Sequence, residues 1–197
     1  MMPGSRPSQR SPARRPRGFI LGYIMVALIL LGVVTAGLSR LQDDQAAADW
    51  VDRAQATLRE NLQVIRAQVM YCAASNETPA AGLVAAMPES VDDTLGDPIA
   101  DVVCPGSSQR LFDGTNTVFV PEPPRGFVGW RYVNDLQDSG NIYAFTSTSD
   151  PNGVAAANRL SKSIPAAELT VATTSGTATI TYFLRKPPAL GGTGLNR

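Results

Sequence analysis

Apolar and polar positions along this chain change period three times, and each change marks a different kind of element. From Gly18 to Ser39 the residues carry no charge and are apolar on every side. A helix over this stretch spans about 33 Å at 1.5 Å per residue, enough for a bilayer core of about 30 Å. Arg17 and Arg40 bracket it. Beyond it, Val51, Ala54, Leu58, Leu62, Ile65, Val69 and Cys72 recur at helical steps, with Asp52, Arg53, Gln55, Arg59, Glu60, Asn61, Gln63, Arg66 and Gln68 between them. That is one apolar face of an α-helix. Neither Gly nor Pro interrupts the chain between Leu38 and Thr78, and Ala46, Ala47 and Ala48 are strong helix formers joining the two halves. The pattern predicts one helix from Phe19 to Ala74, about 80 Å long. The apolar stripe of its outer half requires something to pack on.

The later segments supply that partner. Residues 75–126 are rich in Pro, Gly, Asn and Asp and read as a long loop. Strands are expected at Thr117–Val120, Phe127–Val133, Asn141–Thr146 and Thr177–Leu184; the last alternates Ala178, Ile180, Tyr182 and Leu184 with Thr177, Thr179, Thr181 and Phe183. Asp138-Ser139-Gly140-Asn141 is a hairpin signal. A short helix is expected over Val154–Ser163; Pro187-Pro188 end the fold, and the Gly-rich residues 189–197 form a flexible tail. The expected fold class is α+β: a long N-terminal helix packed on a small antiparallel sheet, with the β-rich head over residues 75–188.

Charge sharpens the organisation. The 197 residues hold 17 basic and 17 acidic side chains, a net charge of zero. Arg6, Arg10, Arg14, Arg15 and Arg17 give residues 1–18 a charge of +5, leaving 12 basic and 17 acidic residues, or −5, for residues 19–197. The first block is Pro/Ser/Arg-rich and has nothing to bury, so it is expected to be disordered. A basic arm suits nucleic acid or anionic lipid; the apolar segment that follows selects lipid, and no nucleic-acid partner is expected. The positive-inside bias keeps the arginines cytoplasmic and places residues 41–197 across the membrane. Cleavage as a secretory signal after Ala36 is an alternative, but the apolar stretch exceeds the usual length and runs on into a second helical pattern.

The chain has no histidine, which removes His-based triads, His metal ligands and the usual neutral-pH proton shuttle. Two cysteines cannot form a four-cysteine zinc site. In an oxidising compartment Cys72 and Cys104 are expected to form a bridge, the alternative being two buried thiols. Asp92, Asp93, Asp97 and Asp101, and separately Asp135, Asp138 and Asn141, offer oxygen ligands, but neither group matches a Ca²⁺ loop pattern, and turn-forming and solvation account for them. Trp130, Tyr132, Tyr143 and Phe145 read as sheet core rather than a binding surface. No catalytic residues, metal or cofactor are expected, and an enzyme is disfavoured.

The basic leader ending at Gly18, Phe19 opening an apolar segment, and the continuation into an amphipathic helix and a β-rich head together resemble type IV pilins and the pseudopilins of type II secretion. The resemblance covers the first third of the chain in motif and the remainder in architecture. It implies cleavage by prepilin peptidase between Gly18 and Phe19, methylation of the new amino terminus, and assembly with other pilins or pseudopilins through the N-terminal helix. It also implies storage in the bacterial inner membrane with the head periplasmic. The family usually carries a glutamate within the apolar segment where this chain has Tyr23. Minor subunits placed at a filament tip are among the members lacking it. A single-pass inner-membrane protein with a periplasmic binding domain is the second expectation.

Overall fold

In the computed structural model, the described residues are 19–76, 86–90, 95–107, 109–114, 118–135 and 140–185. The elements in chain order are α1 (Phe19–Asn76), β1 (Asp97–Pro98), a single 3-10 turn (Ile99–Asp101), β2 (Arg131–Asp135), β3 (Asn141–Thr148), α2 (Pro151–Ser163), β4 (Leu169–Thr174) and β5 (Thr177–Arg185). This is an α+β layout. Residues 1–18, Pro187-Pro188 and residues 189–197, expected as leader, chain end and tail, lie outside the described residues. The chain divides into two compact units, residues 1–46 and 47–197.

In the first unit, the described part of α1 runs from Phe19. Its large side chains from Leu21 to Leu41 are exposed throughout. The hydroxyls there close on the helix's own backbone: Thr35 Oγ1 donates to the Leu31 carbonyl at 2.9 Å and Ser39 Oγ to that of Thr35 at 3.0 Å. Such internal pairing is what an apolar surrounding demands of a hydroxyl.

In the second unit, α1 continues to Asn76, two residues past the expected end. All seven stripe residues from Val51 to Cys72 are buried. The five from Leu58 to Cys72 share a core with a five-stranded antiparallel sheet of order β1-β2-β3-β5-β4. Strict alternation puts Ile142, Ala144, Thr146 and Thr148 of β3 and Ala178, Ile180, Tyr182 and Leu184 of β5 inward, sharing one core with Leu58, Leu62, Ile65 and Val69. A second, smaller cluster joins Val51 and Ala54 to Ala156 of α2, beside an Arg159–Asp52 ion pair. Asp150 caps α2, its Oδ1 accepting from Asn152 N at 2.9 Å and Gly153 N at 3.0 Å; Pro151 occupies the first turn, so α2 starts earlier than Val154.

Two strand expectations need correction, and a further strand, β4, is not among those expected. Thr117 lies outside the described residues, and residues 118–120 form no strand; Pro121, Pro123 and Pro124 follow directly and remove ladder donors. The strand expected over Phe127–Val133 begins only at Arg131 and runs to Asp135. Residues 126–128 instead lie beside the end of β3. They are held by Val128 N–H on the Ser147 carbonyl (2.8 Å), and by Thr146 and Thr148 hydroxyls donating to the carbonyls of Val128 (2.5 Å) and Gly126 (2.7 Å). β4 falls outside the expected strands; it forms a hairpin with β5 through Ser175 and Gly176, both at positive φ. That two-residue turn matches the strand twist and is the signal by which β4 is recognisable.

Candidate functional site

Two regions stand out against an otherwise ordinary sheet-and-helix core: the apolar N-terminal stretch of α1, and the disulfide at its far end. α1 is long and apolar enough to cross a membrane, and that property resides in its first part. Phe19 is the first residue of α1, while Gly18 lies outside the described residues. Tyr23 is three-quarters exposed, among Leu21, Ile24 and Met25. The surface offered here is aliphatic and uncharged, suited to lipid tails or to another apolar helix.

Cys72 and Cys104 are joined in a disulfide, with Cα atoms 5.8 Å apart, as expected. Cys72 is the last residue of the buried stripe, so the bond ties the end of α1 to the segment before β2. There, Cys104 N–H donates to the Gln109 carbonyl (3.3 Å) and Leu111 N–H to that of Val102 (2.7 Å). A shallow groove of about 300 Å³ opens over the bond between Tyr71, Asn76, Arg110 and Asp113.

Polar side chains that the hydrophobic pattern does not reveal tie α1 to β5 and to the segments around Glu122 and Glu168. Arg66 Nη1 donates to the Tyr182 hydroxyl at 3.1 Å and pairs with Glu168 at 3.3 Å. Chiefly through the Tyr182 contact, the guanidinium is held above its ordinary pKa and stays charged. Buried Asn61 donates from Nδ2 to the Glu122 carbonyl at 2.8 Å. Each lies beside the apolar stripe, at a position a helical wheel assigns to its border.

The aromatics separate. Trp130 and Tyr132 are core residues. The Tyr132 hydroxyl donates to the Pro88 carbonyl (2.9 Å), which also accepts from Asn134 Nδ2 (2.6 Å), and burial pushes the phenol well above its usual pKa. Tyr143 and Phe145 are half-buried on the opposite face of the sheet, with Phe183 beside Tyr143 at 6.0 Å.

The acidic residues do not converge. Asp97 lies in β1, Asp101 pairs with Arg110 at 3.3 Å, and Asp92, Asp93 and Asp138 are outside the described residues. Asp135 and Asn141 face each other across β2 and β3, where Gly140 N–H closes on the Asp135 carbonyl at 2.8 Å. Among the described residues no group of three or more acidic or cysteine side chains is placed to hold a metal ion. Compared with protein-family profiles, curated proteins and solved structures, the chain matches none.

Proposed function

We propose that this chain is a structural subunit of a type IV pilus or type II secretion-like filament, in the manner of a minor pilin or pseudopilin. The observation that carries the reading is α1 itself. In the sequence Phe19 directly follows Gly18 and an arginine-rich stretch; the first part of α1 exposes only uncharged residues, and its second part contributes its apolar stripe to the core of the head. A subunit stored in the inner membrane needs the first property, and one that displays a folded head needs the second. Assembly exchanges lipid contacts of Leu21–Leu38 for contacts with neighbouring helices, a step that draws on shape and apolar area alone. The Cys72–Cys104 bond suits a periplasmic, oxidising location for the head.

The decisive experiment is intact-mass measurement of the membrane protein expressed with and without prepilin peptidase. Loss of residues 1–18 and gain of a methyl group on Phe19, in the presence of the peptidase only, is the expected result. A chain that retains its leader in both cases overturns the reading. Tyr23, in place of the family's glutamate, favours a tip position within this proposal. The same residue favours a second reading, a single-pass inner-membrane protein that keeps residues 1–18 as an anchor flank and binds a partner through its head. An unprocessed N-terminus supports that one.

A further inference from the structure

The two cysteines of the disulfide are unequally covered. Both line the groove that opens over the bond, together with Tyr71, Asn76, Arg110 and Leu111. Cys72 is 2 % exposed and belongs to the packed core with Val69 and Ala73. Cys104 is only partly buried and rests against that core. The difference follows from where each sits in the chain. Cys72 is a member of the apolar stripe of α1, and helical period turns it inward. Cys104 lies in an irregular segment, where its N–H donates to the Gln109 carbonyl at 3.3 Å and its carbonyl accepts from the Ser107 N–H at 3.1 Å. These bonds hold it at the groove through its own segment.

Access and leaving-group stability pull in opposite directions. Exchange begins with attack of a thiolate on one sulfur of a disulfide, and its rate depends on whether that sulfur can be reached. A sulfur inside the packed core is reached only after local opening, whereas one beside the groove is reached in the folded protein. Access therefore selects Cys104. Attack there expels the Cys72 sulfur as a thiolate within the core, and burying an unpaired charge is costly. Burial of Cys72 therefore drives the reverse step, in which its sulfur returns to Cys104. Access decides where exchange starts; burial decides that the native bond is restored.

We propose that Cys104 is a thiol-exchange site, at which a low-molecular-weight thiol entering the groove forms a mixed disulfide with the folded protein. The incoming thiolate bonds to Cys104 Sγ. The Cys72–Cys104 bond breaks, its electron pair passes to Cys72 Sγ, and that sulfur takes up a proton from water. One disulfide replaces another, so the step needs no oxidant. In the reverse step Cys72 Sγ attacks Cys104 Sγ and releases the thiol. The groove, about 300 Å³, has room for a small thiol. Neither the groove nor the unequal burial depends on the filament reading.

Two single-cysteine variants of the full chain, in detergent micelles with oxidised glutathione, provide the test, read by intact mass. Cys72→Ala leaves the Cys104 thiol; Cys104→Val leaves the Cys72 thiol and keeps bulk over it. The Cys104 thiol is expected to form the mixed disulfide at least about tenfold faster while both chains are folded, and the two rates are expected to converge in urea. Equal rates in the folded chains, or a faster Cys72 thiol, overturn the proposal. Should either variant lack a cooperative thermal transition, the wild-type chain decides. It is treated with reduced glutathione below the urea transition, quenched in acid and mapped by peptide mass. An adduct on Cys104 is expected. An adduct on Cys72, or none before the chain unfolds, overturns the proposal.

Discussion

Cys72 and Cys104 are bonded across a sequence separation of 32, with their α-carbons 5.8 Å apart. The bond closes a loop between the end of the buried stripe of α1 and the segment before β2. Chain-entropy arithmetic gives a bridge of this span about 3–4 kcal/mol. The double variant Cys72→Ala/Cys104→Ala is expected to lose about that much in urea denaturation of the full chain in detergent. An unchanged midpoint would show that the denatured chain is not constrained by the bond.

The two parts of α1 predict opposite responses to one kind of substitution. Ile65 is fully buried against the sheet, whereas Leu30 is 60 % exposed. Ile65→Ala is expected to destabilise the head by about 2–5 kcal/mol through lost burial and the cavity left behind. Leu30→Ala is expected to leave head unfolding unaltered. Tryptophan fluorescence during denaturation reports both, because Trp130 belongs to the core.

Tyr132 predicts an alkaline limit to stability. Its pKa is raised in the folded chain by burial, from an ordinary value of 10.0. The folded chain then binds the proton more tightly than the unfolded chain. The stabilisation is complete below pH 10 and is lost as pH rises beyond it, by up to about 1.4 kcal/mol per pH unit. Tyr132→Phe is expected to flatten this slope, since the Pro88 carbonyl retains Asn134 as a donor. Equal pH dependence in the two proteins between about pH 10 and 11.5, measured by urea midpoints, would refute it.

Gly153 is required by contact rather than by backbone freedom. A Cβ at this position would lie 2.5 Å from Thr148 Oγ1 and 3.0 Å from its methyl group. Thr148 cannot turn aside without breaking its own bond to the Gly126 carbonyl. Gly153→Ala is therefore expected to cost about 1–3 kcal/mol, although alanine is the better helix former. Thr148→Ser removes the methyl and keeps the bond. It is expected to recover part of that loss in the double variant, as read from thermal midpoints.

Where residues follow a single period, the sequence specified the element. The 3-and-4 spacing from Val51 to Cys72 predicts the buried face, and every member is buried. The alternation in β5 predicts its inner and outer residues. Phe127–Val133 reads as equally strand-like, yet Gly126 and Gly129 with the neighbouring prolines leave its first half without a regular ladder, and threonine hydroxyls of β3 hold it instead. β4 is not legible in the pattern because its Thr-rich run shows no alternation: only Leu169 is buried, and the exposed residues owe their place to pairing with β5.

The sequence by itself determined the uncharged N-terminal helix, its amphipathic continuation, and the split between the basic residues 1–18 and an acidic remainder. Those properties depend on residues near one another in the chain, through helical period, side-chain hydrophobicity and charge. The tertiary structure alone decided the strand order, the edge position of β4, the partners of Arg66 and Asn61, and the contact that demands Gly153. Each of these depends on pairings that local sequence does not encode, set by which surfaces meet when the apolar stripe is buried.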